Sequence, residues 1–310
     1  FPQISLNSSP AKTFINENPS VDTRHPSPDT HHYFITFSQS LYLNTNLPNL
    51  ENQNGNYFPK GYGVFSSLLL QYRSRHFSLT AEPMILDRRQ YEISIPHKEN
   101  EFSVLNDVPL LDIYKQNRFR NTGLKLHFYG ISAGFGNWDQ WWGPGIHNSL
   151  SLSNNAQGFY HYYIGTDGNQ SVGKYVDFSF KYLASRPMQN LKGDDFFLSA
   201  WFLKAKYKFL ELGLNRNVVS GGYPDLPWEQ QDVLTVLIDQ NNIRYWDTIN
   251  TYYILANFEE SGLKVFLEIG FPNRSYAGRD PEVYSDHVMG SNMGLRKQGA
   301  FGSDKLLFGF

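Results

Sequence analysis

The sequence predicts an all-β chain, and within that class a transmembrane antiparallel β-barrel with long outer loops, one of them folded inward. Three observations carry this expectation. Short runs alternate apolar and polar residues with period two, as strands with one apolar and one polar face do. The connections between them alternate between tight turns and long polar loops, the rhythm of bacterial membrane barrels. No apolar run approaches the ~20 residues of a spanning helix; the uninterrupted runs are a few residues long, such as Leu68-Leu69-Leu70. Charged residues make up only 18%, below the ~25% of an ordinary soluble domain, while aromatic residues reach 16%. A soluble β-sandwich explains the alternation equally well, but not the short and long connections in turn.

The strand pattern is clearest at Leu263, Val265, Leu267, Ile269 and Phe271, which alternate with Lys264, Phe266, Glu268 and Gly270. Val176, Phe178, Phe180 and Tyr182 alternate in the same way with Asp177, Ser179 and Lys181. Trp201, Leu203, Ala205 and Tyr207 face away from Phe202, Lys204, Lys206 and Lys208, and Leu210, Leu212 and Leu214 away from Glu211, Gly213 and Asn215. In all, about 14 strands are expected. They fall near 33–44, 61–73, 76–86, 121–129, 130–137, 149–155, 159–165, 174–184, 195–208, 209–218, 231–239, 246–258, 262–271 and 285–297, and residues 305–310 begin another. Tight turns are expected at Arg73-Ser74-Arg75-His76, Tyr207-Lys208-Phe209 and Glu259-Glu260-Ser261-Gly262. The stretches 87–120, 138–148, 185–194, 217–230 and 272–284 are long and rich in Pro, Gly, Asn and Asp.

Residues 1–32 are polar and broken by Pro2, Pro10, Pro19, Pro26 and Pro28, so they are expected to form an irregular segment or long loop. Their His25, His31 and His32 are read as solvated, with no metal. Residues 33–310 are expected to form a single barrel domain. The chain begins at Phe1 without a signal-peptide pattern, so it reads as a processed chain or a fragment.

Composition also narrows the function. A net charge of −2 gives no general attraction to nucleic acid. With no Cys, thiol catalysis, disulfides and Cys-ligated metals are excluded. There is no Gly-x-Ser-x-Gly elbow, His-Glu-x-x-His helix or phosphate loop. The carboxylate pairs Asp194-Asp195 and Glu259-Glu260 sit at turns, where solvated charge is the default. Neither an enzyme nor a cofactor is therefore expected.

The most distinctive segment runs from Gly136 to Ala156 and holds Trp138, Trp141 and Trp142, three of the chain's six tryptophans. Trp faces stack on the C–H faces of sugars, and Asn both donates to and accepts from hydroxyls. Trp138, Asp139, Trp141, Trp142, Gly143, Pro144, Gly145, His147, Asn148, Asn154 and Asn155 are thus candidate polysaccharide contacts. Alternatively they form an inward-folded plug, in which Gly143 and Gly145 supply unusual backbone angles and Pro144 stiffens the turn. Lys204, Lys206 and Lys208 form a candidate lumenal basic row, joined by Lys125, Lys181 and Lys264. Such a row suits an acidic polysaccharide, or simply salt bridges to Asp177, Glu211 and Glu268. Tyr72, Tyr129, Tyr160, Tyr162, Tyr163, Tyr245, Trp246, Tyr252 and Tyr253 fit aromatic girdles at two membrane interfaces.

Trp141-Trp142-Gly143-Pro144-Gly145, followed by Ser149-Leu150-Ser151-Leu152-Ser153-Asn154-Asn155-Ala156, resembles the Wzi family of outer-membrane capsule-attachment proteins. The resemblance extends as pattern over about residues 60–310. It implies a bacterial outer-membrane location and a non-enzymatic barrel of about 18 strands. The implied partners are outer-membrane lipid and a surface capsular polysaccharide. Fewer strands are visible than the family implies, so a chain truncated at its C-terminus is expected. Two other roles fit a barrel: a scaffold subunit with protein partners in an envelope complex, and a diffusion channel.

Overall fold

The structure is a computed structural model. It describes residues 31–44, 61–90, 117–155, 157–189, 194–222, 229–230, 232–238, 247–272, 289–299 and 307–309. The expectations for residues 1–30, for Tyr245 and Trp246, and for most of the long connections lie outside these residues. The described residues hold fifteen strands and one short helix. In order they are β1 (His32–Asn44), β2 (Gly61–Arg73), β3 (Phe77–Gln90), β4 (Arg118–Phe128), β5 (Ile131–Gly136), β6 (His161–Thr166), β7 (Gln170–Val172), β8 (Val176–Ser185), β9 (Met188–Gln189), β10 (Asp195–Tyr207), β11 (Leu210–Gly221), α1 (Asp232–Ile238), β12 (Asp247–Phe258), β13 (Leu263–Pro272), β14 (Gly290–Gln298) and β15 (Leu307–Gly309). Every pairing whose register is given is antiparallel.

The chain forms two compact units. One comprises the described residues of Phe1–Lys125, Gly136–Asp139 and Asn154–Gly158; the other comprises those of Leu126–Phe135, Gln140–Ser153 and Phe159–Phe310. In the first unit the strand order is β1-β2-β3-β4. Its register lines up Ile35, Leu70 and Ala81, and beside them Phe37 with Leu68 and Tyr33 with Tyr72 and Leu79. One face therefore carries Tyr33, Ile35, Phe37, Leu41, Leu70, Leu79 and Ile85, all exposed. The opposite face carries Ser38, Ser67, Glu82 and Met84, and the last three are buried. His31 at the edge stacks on Tyr72 and bonds its hydroxyl at 2.7 Å.

In the second unit the order is β5-β6-β8-β10-β11-β12-β13-β14-β15, with β7 on β8 and β9 on β10. The same two-faced pattern recurs. Leu203, Leu212, Leu214, Ile254, Val265, Leu267 and Met293 form an exposed apolar face across five neighbouring strands. Leu183, Ala200, Phe202, Asn215, Tyr253 and Glu268 occupy the opposite face and are buried.

The tight connections close as hairpins. Tyr129 and Gly130 both have positive φ (45° and 81°), as a type I′ turn requires. Lys208 takes φ 54° in the Lys208-Phe209 turn. Ser74 stitches the β2–β3 turn through bonds to Phe77 in both directions.

Two expected strands are not strands. Residues 231–239 instead contain α1. Their apolar, β-branched run reads equally well as strand or buried helix by composition. What decides is a reciprocal cap: the Asp232 carboxylate accepts the Glu229 N–H at 2.8 Å, and the Asp232 N–H donates to the Glu229 carbonyl at 2.9 Å. The Tyr182 hydroxyl then donates to the Val233 carbonyl, holding α1 over β8 and β10. Residues 149–155 alternate Ser and Leu yet form a loop. Their serines bond locally, Ser149 to the Trp142 carbonyl and Ser151 N–H to the Ser149 hydroxyl, in place of a strand ladder.

Candidate functional site

The second unit holds the centre of the tryptophan segment, Gln140–Ser153. The register of its sheet builds a wall for this loop. Phe202, Asn215 and Thr251 are directly opposed across β10, β11 and β12, as are Lys204, Gly213, Tyr253, Glu268 and Asn292 across β10 to β14. Period two places all of these on one face.

Trp142 is fully buried on that wall, packed on Leu183, Ala200, Phe202 and Tyr253 with Leu152, Phe159 and Leu255 around it. Its ring centroid lies 5.7 Å from that of Phe202. Every polar atom of the residue has a partner. The indole N–H donates to Gln140 Oε1 at 3.0 Å, and the backbone N–H to the Leu152 carbonyl at 2.8 Å. The Trp142 carbonyl accepts from Asn215 Nδ2 at 2.8 Å and from Ser149 Oγ at 2.9 Å.

Gln140 passes the pattern on. Its Nε2 faces Nε2 of the fully buried His161 at 3.3 Å, and His161 Nδ1 faces the Phe159 carbonyl at 2.7 Å. The tautomer with hydrogen on Nδ1 satisfies both contacts, and the Gln140 amide then donates to Nε2.

Glu268 is the second anchor. It is fully buried. Its carboxyl group accepts from Asn292 Nδ2 and from Ser149 Oγ, at 3.3 and 3.2 Å, and from the Leu150 backbone N–H. Asn217 Nδ2 adds a bond to Ser151 Oγ at 2.6 Å, and Asn292 one to the Asn148 carbonyl at 3.3 Å. The loop is thus tied to the wall from Asn148 to Ser151 by side chains of β11, β13 and β14.

Gly143 and Gly145, expected to supply unusual backbone angles, do not take a positive φ. They are needed for space instead. A Cβ on Gly143 would lie 2.5 Å from Ser149 Oγ and 2.7 Å from Glu268 Oε1. One on Gly145 would lie 2.1 Å from the Asn148 carbonyl oxygen and 2.5 Å from Asn292 Nδ2. Backbone cannot yield as a side-chain tip can, so Gly145→Ala is expected to cost about 1–3 kcal/mol and to loosen the His147-Asn148 tip. Limited proteolysis across 143–149 should speed up; an unchanged cleavage rate would show that the close approach does not hold the loop.

Outside these anchors, His147 and Asn148 are exposed, and Trp141 and Pro144 are half-buried. Lys204 and Lys206 share the loop-bearing face, paired with Glu211 at 3.7 Å and Glu259 at 3.4 Å. Tyr253 donates to the same Glu211 at 2.8 Å. Lys208 is off this row, in the hairpin turn. Glu268, read from sequence as a partner for the lysines, holds the loop instead.

Trp138, Asp139, Asn154 and Asn155 belong to the first unit. There Arg120 Nε donates to Asp139 Oδ2 at 2.7 Å, and its Nη2 reaches the same oxygen. Arg120 Nη1 also lies 3.7 Å from Glu82. Asn121, with a positive φ of 44°, donates to Glu82 Oε2 at 2.8 Å and accepts the Asp139 N–H at 2.9 Å. Asn137 accepts from the Thr122 N–H at 2.7 Å and donates to the Phe119 carbonyl at 2.8 Å. Lys125 Nζ sits 4.5 Å from the Trp138 ring.

Sequence reasoning singled out neither Arg120, Asn121 and Glu82 nor His161, Asn215 and Asn292 as partners of the loop. Isolated polar residues in alternating strands carry no signal of their partners across the sheet. Among the described residues no group of three His, Asp or Glu could hold a metal ion.

An antiparallel sheet with one exposed apolar face, and a tryptophan-anchored loop on the other, defines the class: an all-β protein with a loop stitched to its sheet. The profile of the family described as Capsule assembly protein Wzi matches residues 44–252, which include the whole loop, and the chain belongs to that family. No curated protein and no solved structure matches the chain.

Proposed function

We propose that this protein is a non-enzymatic β-barrel of the bacterial outer membrane that binds capsular polysaccharide and holds it at the cell surface. In this reading residues 33–310 belong to one barrel domain. The exposed apolar face meets lipid, because a sheet edge or polar face cannot be satisfied in hydrocarbon. Long connections such as 137–160 mark the outer end, since the outward loops of these barrels are the long ones.

The observation that carries the proposal is the division of labour inside the loop. Trp142 and Glu268 fix it to the wall, and Trp141, His147 and Asn148 are left at its accessible side. An aromatic face beside hydroxyl-bonding groups is what a sugar ring requires, and capsule assembly is what the family's description states. Lys204 and Lys206 line the same face, but their carboxylate partners leave them a secondary role.

The test compares cell-bound with shed polysaccharide in a strain lacking the gene, complemented by the native protein or by Trp141→Ala. Polysaccharide released to the medium in the deletion strain, and only partly recovered by Trp141→Ala, is the expected result. Losing one stacked aromatic is expected to weaken glycan binding about tenfold. Polysaccharide that stays bound in the deletion strain would overturn the attachment role and turn attention to a scaffold role with protein partners.

A further inference from the structure

At its short-turn end the second unit carries two ammonium groups that share one aromatic ring. Lys174 lies between β7 and β8 and Lys208 between β10 and β11. Nζ of Lys174 is 5.4 Å from the Tyr175 ring centroid, and Nζ of Lys208 is 5.8 Å from the same ring and 5.3 Å from that of Tyr207. The two tyrosine rings meet edge-on at 6.4 Å. Among the described residues neither ammonium takes part in an ion pair. The neighbouring carboxylate, Glu259, is engaged by Lys206 on the other face of β10.

Ring quadrupoles attract both cations, but two like charges drawn to one ring repel each other. An anion between them relieves that repulsion. The surface next to the pair says which kind of anion. Val176 and Tyr207 are opposed on β8 and β10, and Leu203 and Leu212 continue the same exposed apolar face toward mid-strand. A free phosphate has no use for such a surface, whereas an acyl chain does. Lys and Tyr at the margin of an apolar belt also stand at the level of lipid headgroups.

We propose that Lys174, Lys208, Tyr175 and Tyr207 form a site for the phosphate of an anionic phospholipid, with its acyl chains along Val176, Leu203 and Leu212. The site rests on the membrane-barrel reading above and lies on the leaflet at the short-turn end. The ammonium groups neutralise the phosphate, and each phenol hydroxyl offers a donor for its oxygens.

The test uses the full chain in detergent, read by native mass spectrometry after addition of phosphatidylglycerol, phosphatidylcholine or inorganic phosphate. The variant is Lys174→Gln with Lys208→Asn, since asparagine tolerates the left-handed backbone at 208. The native chain should retain phosphatidylglycerol in preference to phosphatidylcholine, and the double variant should retain it about tenfold less. Lys174→Arg alone, which keeps the charge, should retain it as the native chain does. Equal retention by the double variant overturns the site. Displacement of the lipid by millimolar inorganic phosphate overturns the lipid assignment in favour of a free-anion site. Protease protection after insertion into phosphatidylcholine vesicles keeps the two readings apart. A native chain that fails to insert refutes the membrane reading itself, whereas equal insertion with unchanged lipid retention refutes only the site.

Discussion

Alanine in place of Trp142 is expected to destabilise the protein by about 3–5 kcal/mol, the range for emptying a buried large aromatic site. The indole is fully buried against Leu183, Ala200, Phe202 and Tyr253. The wall cannot collapse into the space. The hydroxyl of Tyr253 is held by Glu211, and its ring lies over Gly213, where a Cβ would come within 1.9 Å of Cε1. Removing the indole N–H also leaves Gln140 Oε1 without its donor, so the line to His161 loosens. Urea unfolding of the detergent-folded chain should show the midpoint fall. Trp141→Ala, at a half-buried position without such packing, should stay within about 1 kcal/mol of the native protein. A midpoint for Trp142→Ala equal to that of Trp141→Ala would mean that Trp142 does not anchor the loop. The pair thus separates anchoring, assigned to Trp142, from the glycan contact assigned to Trp141.

Glu268→Ala is expected to cost about 2–3 kcal/mol, less than the sum over its three hydrogen bonds. The reason is local. Ser149 Oγ already lies 2.9 Å from the Trp142 carbonyl, and Asn292 Nδ2 lies 3.3 Å from the Asn148 carbonyl. Both donors retain an acceptor when the carboxyl group is gone. The Leu150 N–H is the donor left stranded, in a buried setting where an unmet backbone group carries its full desolvation cost. Because Ser149 and Glu268 act together, their alanine variants should be non-additive by about 0.5–3 kcal/mol in a double-mutant cycle. Strict additivity would refute the contact between loop and wall at this point. Glu268→Gln should fall between, since it keeps an acceptor for the loop but turns a donor toward Asn292.

The strands were legible because their signal is local. Along β10 and β13 the side chains alternate strictly, and a period of two can only mean one face in and one face out. The turns were legible for a related reason: Ser74 and Gly262 satisfy local geometry with local residues. The helix at Asp232–Ile238 was not legible as such. Its apolar run fits either structure, and the choice rests on one capping contact with Glu229 and on packing against Tyr182. The stretch from Ser149 to Ser153 failed for the opposite reason. Its alternation is genuine, but no neighbouring strand pairs with its backbone, and its serines turn to the Trp142 carbonyl, to each other and to the side chains of Asn217 and Glu268.

The roles inside the tryptophan segment were only half legible. Composition singled out Trp138, Trp141 and Trp142 together, yet their environments differ in kind. Trp142 is buried, Trp141 is half-exposed, and Trp138 lies under Lys125 in the other unit. Gly143 and Gly145 were expected to supply unusual backbone angles; what the structure gives them is the nearness of Asn148 and Glu268, which leaves no room for a Cβ.

The sequence by itself determined the all-β class, the alternating faces, the tight turns and the segment that distinguishes this chain. Each is written in residues close together along the chain. Tertiary structure alone decided which polar residues hold the loop. Asn215, Glu268 and Asn292 are far from the loop in sequence and meet it only because antiparallel register sets them on one face of adjacent strands. Register is a property of paired strands, so no single strand encodes it.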